Sequence, residues 1–107
     1  MGRVNEYAIG DEVIVEVRFY SANEDGTRGV LTDPPASTAS IRWKPEDGDP
    51  VSRHLNDAAV DKVSTGVYAT PVVADAVGRW YYRGESTASL ICASDPAYFT
   101  VSEDKTR

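Results

Sequence analysis

Cysteine occurs once in this 107-residue chain, histidine once and methionine once. With Cys92 alone, no disulfide can form within the chain, and a zinc site built from several thiolates is excluded. The fold must therefore hold by packing. Long hydrophobic runs are also missing: none approaches the length of a membrane span, and Met1-Gly2-Arg3-Val4-Asn5-Glu6 lacks the apolar core of a signal peptide. The expectation is a protein made in a reducing cytoplasm and not held in a membrane. Positive charge is scarce, with 11 Lys and Arg against 17 Asp and Glu, for a net charge of -6 and a pI near 4.6. Such a surface repels phosphate backbones, and no Lys-Arg cluster with interleaved aromatics breaks the field, so nucleic acid is not an expected partner. No stretch has the periodicity of a useful helix, and no internal repeat is visible.

What is present suits one domain. A hydrophobic share of 41% with 26% charged residues is ordinary for a globular chain, and 107 residues suffice for a single core. Residues 11–20 alternate, with Val13, Val15, Val17 and Phe19 on one face and Glu12, Glu16 and Arg18 on the other. Ile14 and Tyr20 fall on the polar side of that pattern and predict a small apolar patch there. Residues 21–35 read as a long polar loop closed by Pro34 and Pro35. The next strand, 38–44, points Ala39, Ile41 and Trp43 inward. A turn at Pro45-Glu46-Asp47-Gly48 leads to a short polar strand over 51–55 that suits a sheet edge, while 56–62 stays ambiguous between a helical turn and an irregular link.

Gly66 opens a strand over 67–73 whose Pro71 implies an edge position or a bulge. Gly78 opens another, in which Trp80 and Tyr82 share the inward face and Arg79, Tyr81 and Arg83 the outward one. Residues 84–97 read as a second long loop, and 98–101 as the last strand. The architecture predicted is all-β: an antiparallel sandwich of about seven strands over residues 11–102, preceded by an arm (1–10) and followed by a charged tail (103–107). The expected core is Val13, Val15, Val17, Phe19, Ile41, Trp43, Val67, Trp80, Tyr82 and Phe99.

The order of these motifs resembles an immunoglobulin-like domain. Gly78-x-Trp80-x-Tyr82 sits where such domains carry a glycine and aromatics on the penultimate strand, and Trp43 falls on the third. Antibody-type cysteines are absent, Tyr82 standing in place of one. A closer resemblance is to the small immunoglobulin-like accessory proteins encoded among the structural genes of tailed bacteriophages and prophages. It rests on Asn23-Glu24-Asp25-Gly26, Asp33-Pro34, Pro45-Glu46-Asp47-Gly48, Thr65-Gly66-Val67-Tyr68, Gly78-Arg79-Trp80-Tyr81-Tyr82-Arg83 and Phe99-Thr100-Val101, in that order. The resemblance implies a non-enzymatic virion protein that decorates a capsid, neck or tail in multiple copies on a symmetric assembly, without a cofactor. The alternative is a carbohydrate-binding or adhesive module of a bacterial surface or tail-fibre protein.

Several residues invite a functional reading beside a plain one. Arg79, Tyr81 and Arg83 have the composition enriched at protein interfaces, or form a solvated sheet face. The two long loops supply further candidate contacts in Asp25, Arg28, Leu90 and Ile91, since loops on a rigid sandwich carry recognition. Tyr68, Trp80, Tyr81 and Tyr82 suit a sugar platform, though alternation allows only half of them outward. Asp47, Asp49, Asp57, Asp61 and Asp75 would hold calcium if they converged; without an Asp-x-Asp-x-Asp-Gly loop, turn formation is the plainer account. His54 and Ser52 lack the oxyanion hole and nucleophile elbow of a hydrolase. Cys92, between apolar residues, reads as a small buried hydrophobe.

Overall fold

Alternation along one long strand sets the orientation of the molecule. β2 (Glu12–Ala22) buries Val13, Val15, Val17 and Phe19 and turns Glu12, Ile14, Glu16 and Arg18 to solvent. The computed structural model describes residues 6–25, 27–35, 38–88, 91–93 and 96–102. Among them are ten strands and no α-helix. In addition to β2 these are β1 (Glu6–Ala8), β3 (Arg28–Leu31), β4 (Ala39–Pro45), β5 (Val51–His54), β6 (Asp61–Ser64), β7 (Val67–Val73), β8 (Gly78–Ser86), β9 (Ile91–Ala93) and β10 (Ala97–Ser102).

Two five-stranded sheets pack face to face as a β-sandwich. The front sheet runs β1-β10-β8-β4-β5, with β1 parallel to β10 and every other pair antiparallel. The back sheet runs β3-β2-β7-β6, with β9 added on β2. Between the sheets lie Val13, Val15, Val17, Phe19, Ile41, Trp43, Trp80 and Phe99, each with less than a tenth of its surface exposed. Trp80 stacks on Phe99 at 5.7 Å, and its indole N–H donates to the Ala76 carbonyl at 2.9 Å, so this large core residue hides no unmet donor.

The structure corrects the sequence reading in several places. Ten strands replace about seven. Residues 28–31 and 91–93 are strands inside stretches read as loops, and 6–8 is a strand inside the stretch read as an arm. Pro71 sits on β7, which lies between β2 and β6, but at that residue β7 is paired with β2 alone, so the expected edge position holds locally. It is tolerated there because β6 pairs with β7 only as far as Ala69, and the Pro71 carbonyl accepts from Arg53 at 3.1 Å instead. Tyr82 is half-buried, packing against the core from its side. Cys92 is also half-buried, opposite Tyr20 on the edge of β2, with its Sγ 3.9 Å from the Ser21 carbonyl oxygen. The tail at 103–107 lies outside the described residues.

Two polar links brace the sandwich, one at the β6–β7 hairpin and one between the sheets. Gly66 has φ 75°, and a Cβ there would lie 2.8 Å from the Phe19 carbonyl oxygen and the Thr32 nitrogen. That close approach lets the Gly66 N–H donate to Asp33 Oδ1 at 2.7 Å, while Tyr68 donates to the same oxygen at 3.1 Å and Lys62 Nζ lies 2.6 Å from Oδ2. Asp33 thus clamps the β3–β4 connection onto the β6–β7 hairpin. Arg53 of β5 reaches across to β7, donating to the buried Thr70 hydroxyl at 2.6 Å while its guanidinium lies over the Trp43 ring.

Candidate protein-docking face

The alternation that buries Trp80 and Gly84 of β8 turns Arg79, Tyr81, Arg83 and Glu85 outward. Pairing then sets neighbours that the sequence keeps far apart. Lys44 of β4 lies opposite Tyr81, Arg42 opposite Arg83, and Ser40 opposite Glu85. On the other side, Tyr98 of β10 lies opposite Tyr81 and Thr100 opposite Arg79. The result is a basic and aromatic field on the outer surface of the front sheet.

Two arginines directly opposite each other weaken a strand pair rather than support it. Glu85 offsets part of the repulsion, with Oε2 2.7 Å from Arg83 Nη2 and Oε1 3.9 Å from Arg42 Nη1. Among the described residues Lys44 has no carboxylate partner; its Nζ donates to the carbonyls of Pro45 and Glu46 at 3.3 and 3.0 Å. The Arg79 guanidinium lies 4.6 Å from the centre of the Tyr98 ring. The outward rows of β4 and β8 therefore carry four cations against one carboxylate, a net +3, and since the whole chain stands at -6, everything else carries -9. A shallow cleft of about 280 Å³ opens among Arg42, Lys44, Tyr81, Arg83 and Pro96. Tyr82 lines its edge, its phenol held above the usual range by burial first and then by Tyr7 and Glu16.

The other candidates fall elsewhere. Arg28 stacks on the Tyr20 ring at 4.5 Å and reaches the Ala93 carbonyl at 3.5 Å, which brings it to β9 and so to the strand of Ile91. Asp25 is exposed on the turn before β3, its carboxyl held below the usual range by the hydroxyl and N–H of Thr27. These three residues belong to the back sheet and its end, apart from the field on β8. Leu90 lies outside the described residues. Tyr81 and Tyr98 are exposed, whereas Tyr68 and Trp80 are buried and cannot form a platform with them.

The five aspartates proposed for calcium do not converge: among the described residues, no group of three or more His, Cys, Asp or Glu side chains is placed to hold an ion. His54 and Ser52 lie along exposed β5, opposite Ser40 and Arg42, and no hydrogen bond joins them. The sequence reading missed Arg42, Lys44 and Glu85 as members of one site. The outward alternation of Arg42 and Lys44 on β4 was visible, but not that β4 and β8 are neighbours, and Glu85 fell in a stretch read as loop, whereas β8 runs on to Ser86. No family model, curated protein or solved structure matches the chain.

Proposed function

We propose that this chain is a non-enzymatic binding module of immunoglobulin-like topology, a virion accessory protein that docks through the outer face of its front sheet. The topology is supported by the strand order. Reading β2, β7 and β6 as B, E and D, and β10, β8, β4 and β5 as G, F, C and C′, reproduces the two-sheet arrangement of that fold. The parallel pair of β1 with β10 joins the first and last described strands.

The observation that carries the docking reading is Arg42 directly opposite Arg83. Such a pair lowers the stability of the sheet, Glu85 relieving only part of the repulsion, and we read its gain as contact with a partner. With Tyr81 and Lys44 beside it, the face matches the anchors that dominate protein interfaces and complements an acidic partner. Copies on a symmetric capsid, neck or tail would gain avidity from individually modest contacts.

The test is co-purification with particles from the source, followed by salt washing. Wild-type chain should remain with the particles at low salt and be released at high salt, and an Arg79→Glu, Arg83→Glu variant should fail to attach. A chain absent from particles, or a variant that attaches as well as wild type, contradicts the reading. A glycan-binding role draws support from the adjacent exposed rings of Tyr81 and Tyr98, but the Arg79 guanidinium already occupies a place over Tyr98.

A further inference from the structure

Two faces of this molecule carry matching triplets of opposite charge. On β8, Arg79, Tyr81 and Arg83 point outward at alternate positions; on β2, Glu12, Ile14 and Glu16 do the same on the far side of the sandwich. Both sets have the same pitch, because a strand rises roughly 3.3 Å per residue and outward neighbours stand about 7 Å apart. Each is an apolar or aromatic residue between two like charges. Tyr81 is 43% exposed and Ile14 60% exposed, large for an isoleucine on a sheet face. Across from Glu12 and Ile14 stand Val73, 55% exposed, and Pro71, which widen the apolar strip.

We infer that the occupant of the front face is the back face of a second copy of this chain. This rests on the reading that the front face is an interface, and it names the partner. In the contact, Ile14 with Val73 covers Tyr81, while Glu12 and Glu16 meet Arg79 and Arg83. Glu12 has no ion-pair partner of its own among the described residues, and Glu16 has only the exposed Arg18 at 3.1 Å, a pair of the kind that is readily exchanged. Arg42 and Lys44 stand beside the cleft as additional cations for a carboxylate entering it. Because the two surfaces are different, each bound pair leaves one front face and one back face unsatisfied. The contact does not close into a dimer but extends as a stack.

Sedimentation velocity on the full chain tests this. At low ionic strength, rising concentration should give species larger than a dimer, and about 1 M salt, with a Debye length near 3 Å, should return them to monomer. Arg79→Glu, Arg83→Glu and Glu12→Lys, Glu16→Lys each place like charges across the contact and should sediment as monomers, with far-ultraviolet circular dichroism unchanged from wild type. Mixed together, the two variants should associate again, since native and reversed pairings are both restored. Wild-type chain that stays monomeric at every salt, variants that stack as wild type does, or folded variants whose mixture stays monomeric would each overturn the inference. Monomeric wild type that still attaches to particles through Arg79 and Arg83 would overturn it while leaving the docking reading intact.

Discussion

Arg53 Nη1 of β5 lies 2.6 Å from the hydroxyl of Thr70, the one polar side chain fully buried in the sandwich among the described residues. The hydroxyl passes its own hydrogen to the Ala59 carbonyl at 3.0 Å. One cation thereby joins the front sheet to the back sheet and takes up the carbonyl that Pro71 leaves facing away from β2. Arg53→Met keeps much of the side-chain volume over Trp43 but removes these donors. The expected cost is about 1–3 kcal/mol, the range for a buried acceptor left without its partner. Urea unfolding checks it, and an unchanged midpoint would mean that water replaces the guanidinium without loss.

Asp33 makes folding sensitive to pH at both ends of the scale. Its carboxyl is held below its ordinary value of 3.8, chiefly by Lys62 and by the Gly66 N–H. A lowered folded value means stability that is full above pH 3.8 and lost as pH falls through the folded value. Lys62 is raised above 10.5 by Asp33, and Tyr68 above 10.0 by burial and then Asp33. Their contributions are full below those values and fall away as pH rises through the folded ones. Asp33→Asn should flatten the acid limb of the melting temperature against pH and weaken the alkaline one. A profile parallel to that of wild type would contradict this.

Gly66 and Gly78 separate conformational strain from close approach. Both have positive φ, 75° and 123°, but a Cβ at 78 would meet nothing nearer than Glu46 Oε1 at 3.8 Å, whereas one at 66 would press on backbone at 2.8 Å. Gly78→Ala should cost only the backbone term, about 1–3 kcal/mol. Gly66→Ala should cost more, because the Phe19–Thr32–Asp33 junction must move as well. Equal losses in denaturant midpoint would show that the junction yields freely.

Glu85→Gln tests whether the front face gives up stability for contact. Without the carboxylate, Arg42 and Arg83 face each other unrelieved, and the fold should lose up to about 1 kcal/mol. Attachment to an acidic partner should tighten at the same time, because the field gains a unit of positive charge. Parallel chemical denaturation and binding measurements check both signs. Weaker binding together with lower stability would make Glu85 part of the contact.

Much of the fold was legible because side-chain alternation is a local property. β2, β4 and β8 could be read residue by residue, since Val13 to Phe19, Ala39 to Trp43 and the Gly78-Arg79-Trp80-Tyr81 run each switch face at every step. β3 and β9 escaped because they are short and paired only near the far end of β2; β3 is mostly exposed and β9 half-buried throughout, so neither alternates. Tyr82 has the inward parity of Trp80 but lies toward the side of the core, beside Phe99. The site was half legible. Arg79, Tyr81 and Arg83 stand together in the chain, but Arg42 and Lys44 become their neighbours only through the register of β4 on β8, which local periodicity does not encode.

The most direct test of the docking face is site-specific photocross-linking in the native source, with Tyr81→p-benzoylphenylalanine and the exposed Ala58 of the β5–β6 connection as the control position. The account predicts discrete adducts from position 81, to a particle protein or to a second copy of the chain, and none from position 58. Position 81 giving no more adduct than position 58 would contradict it.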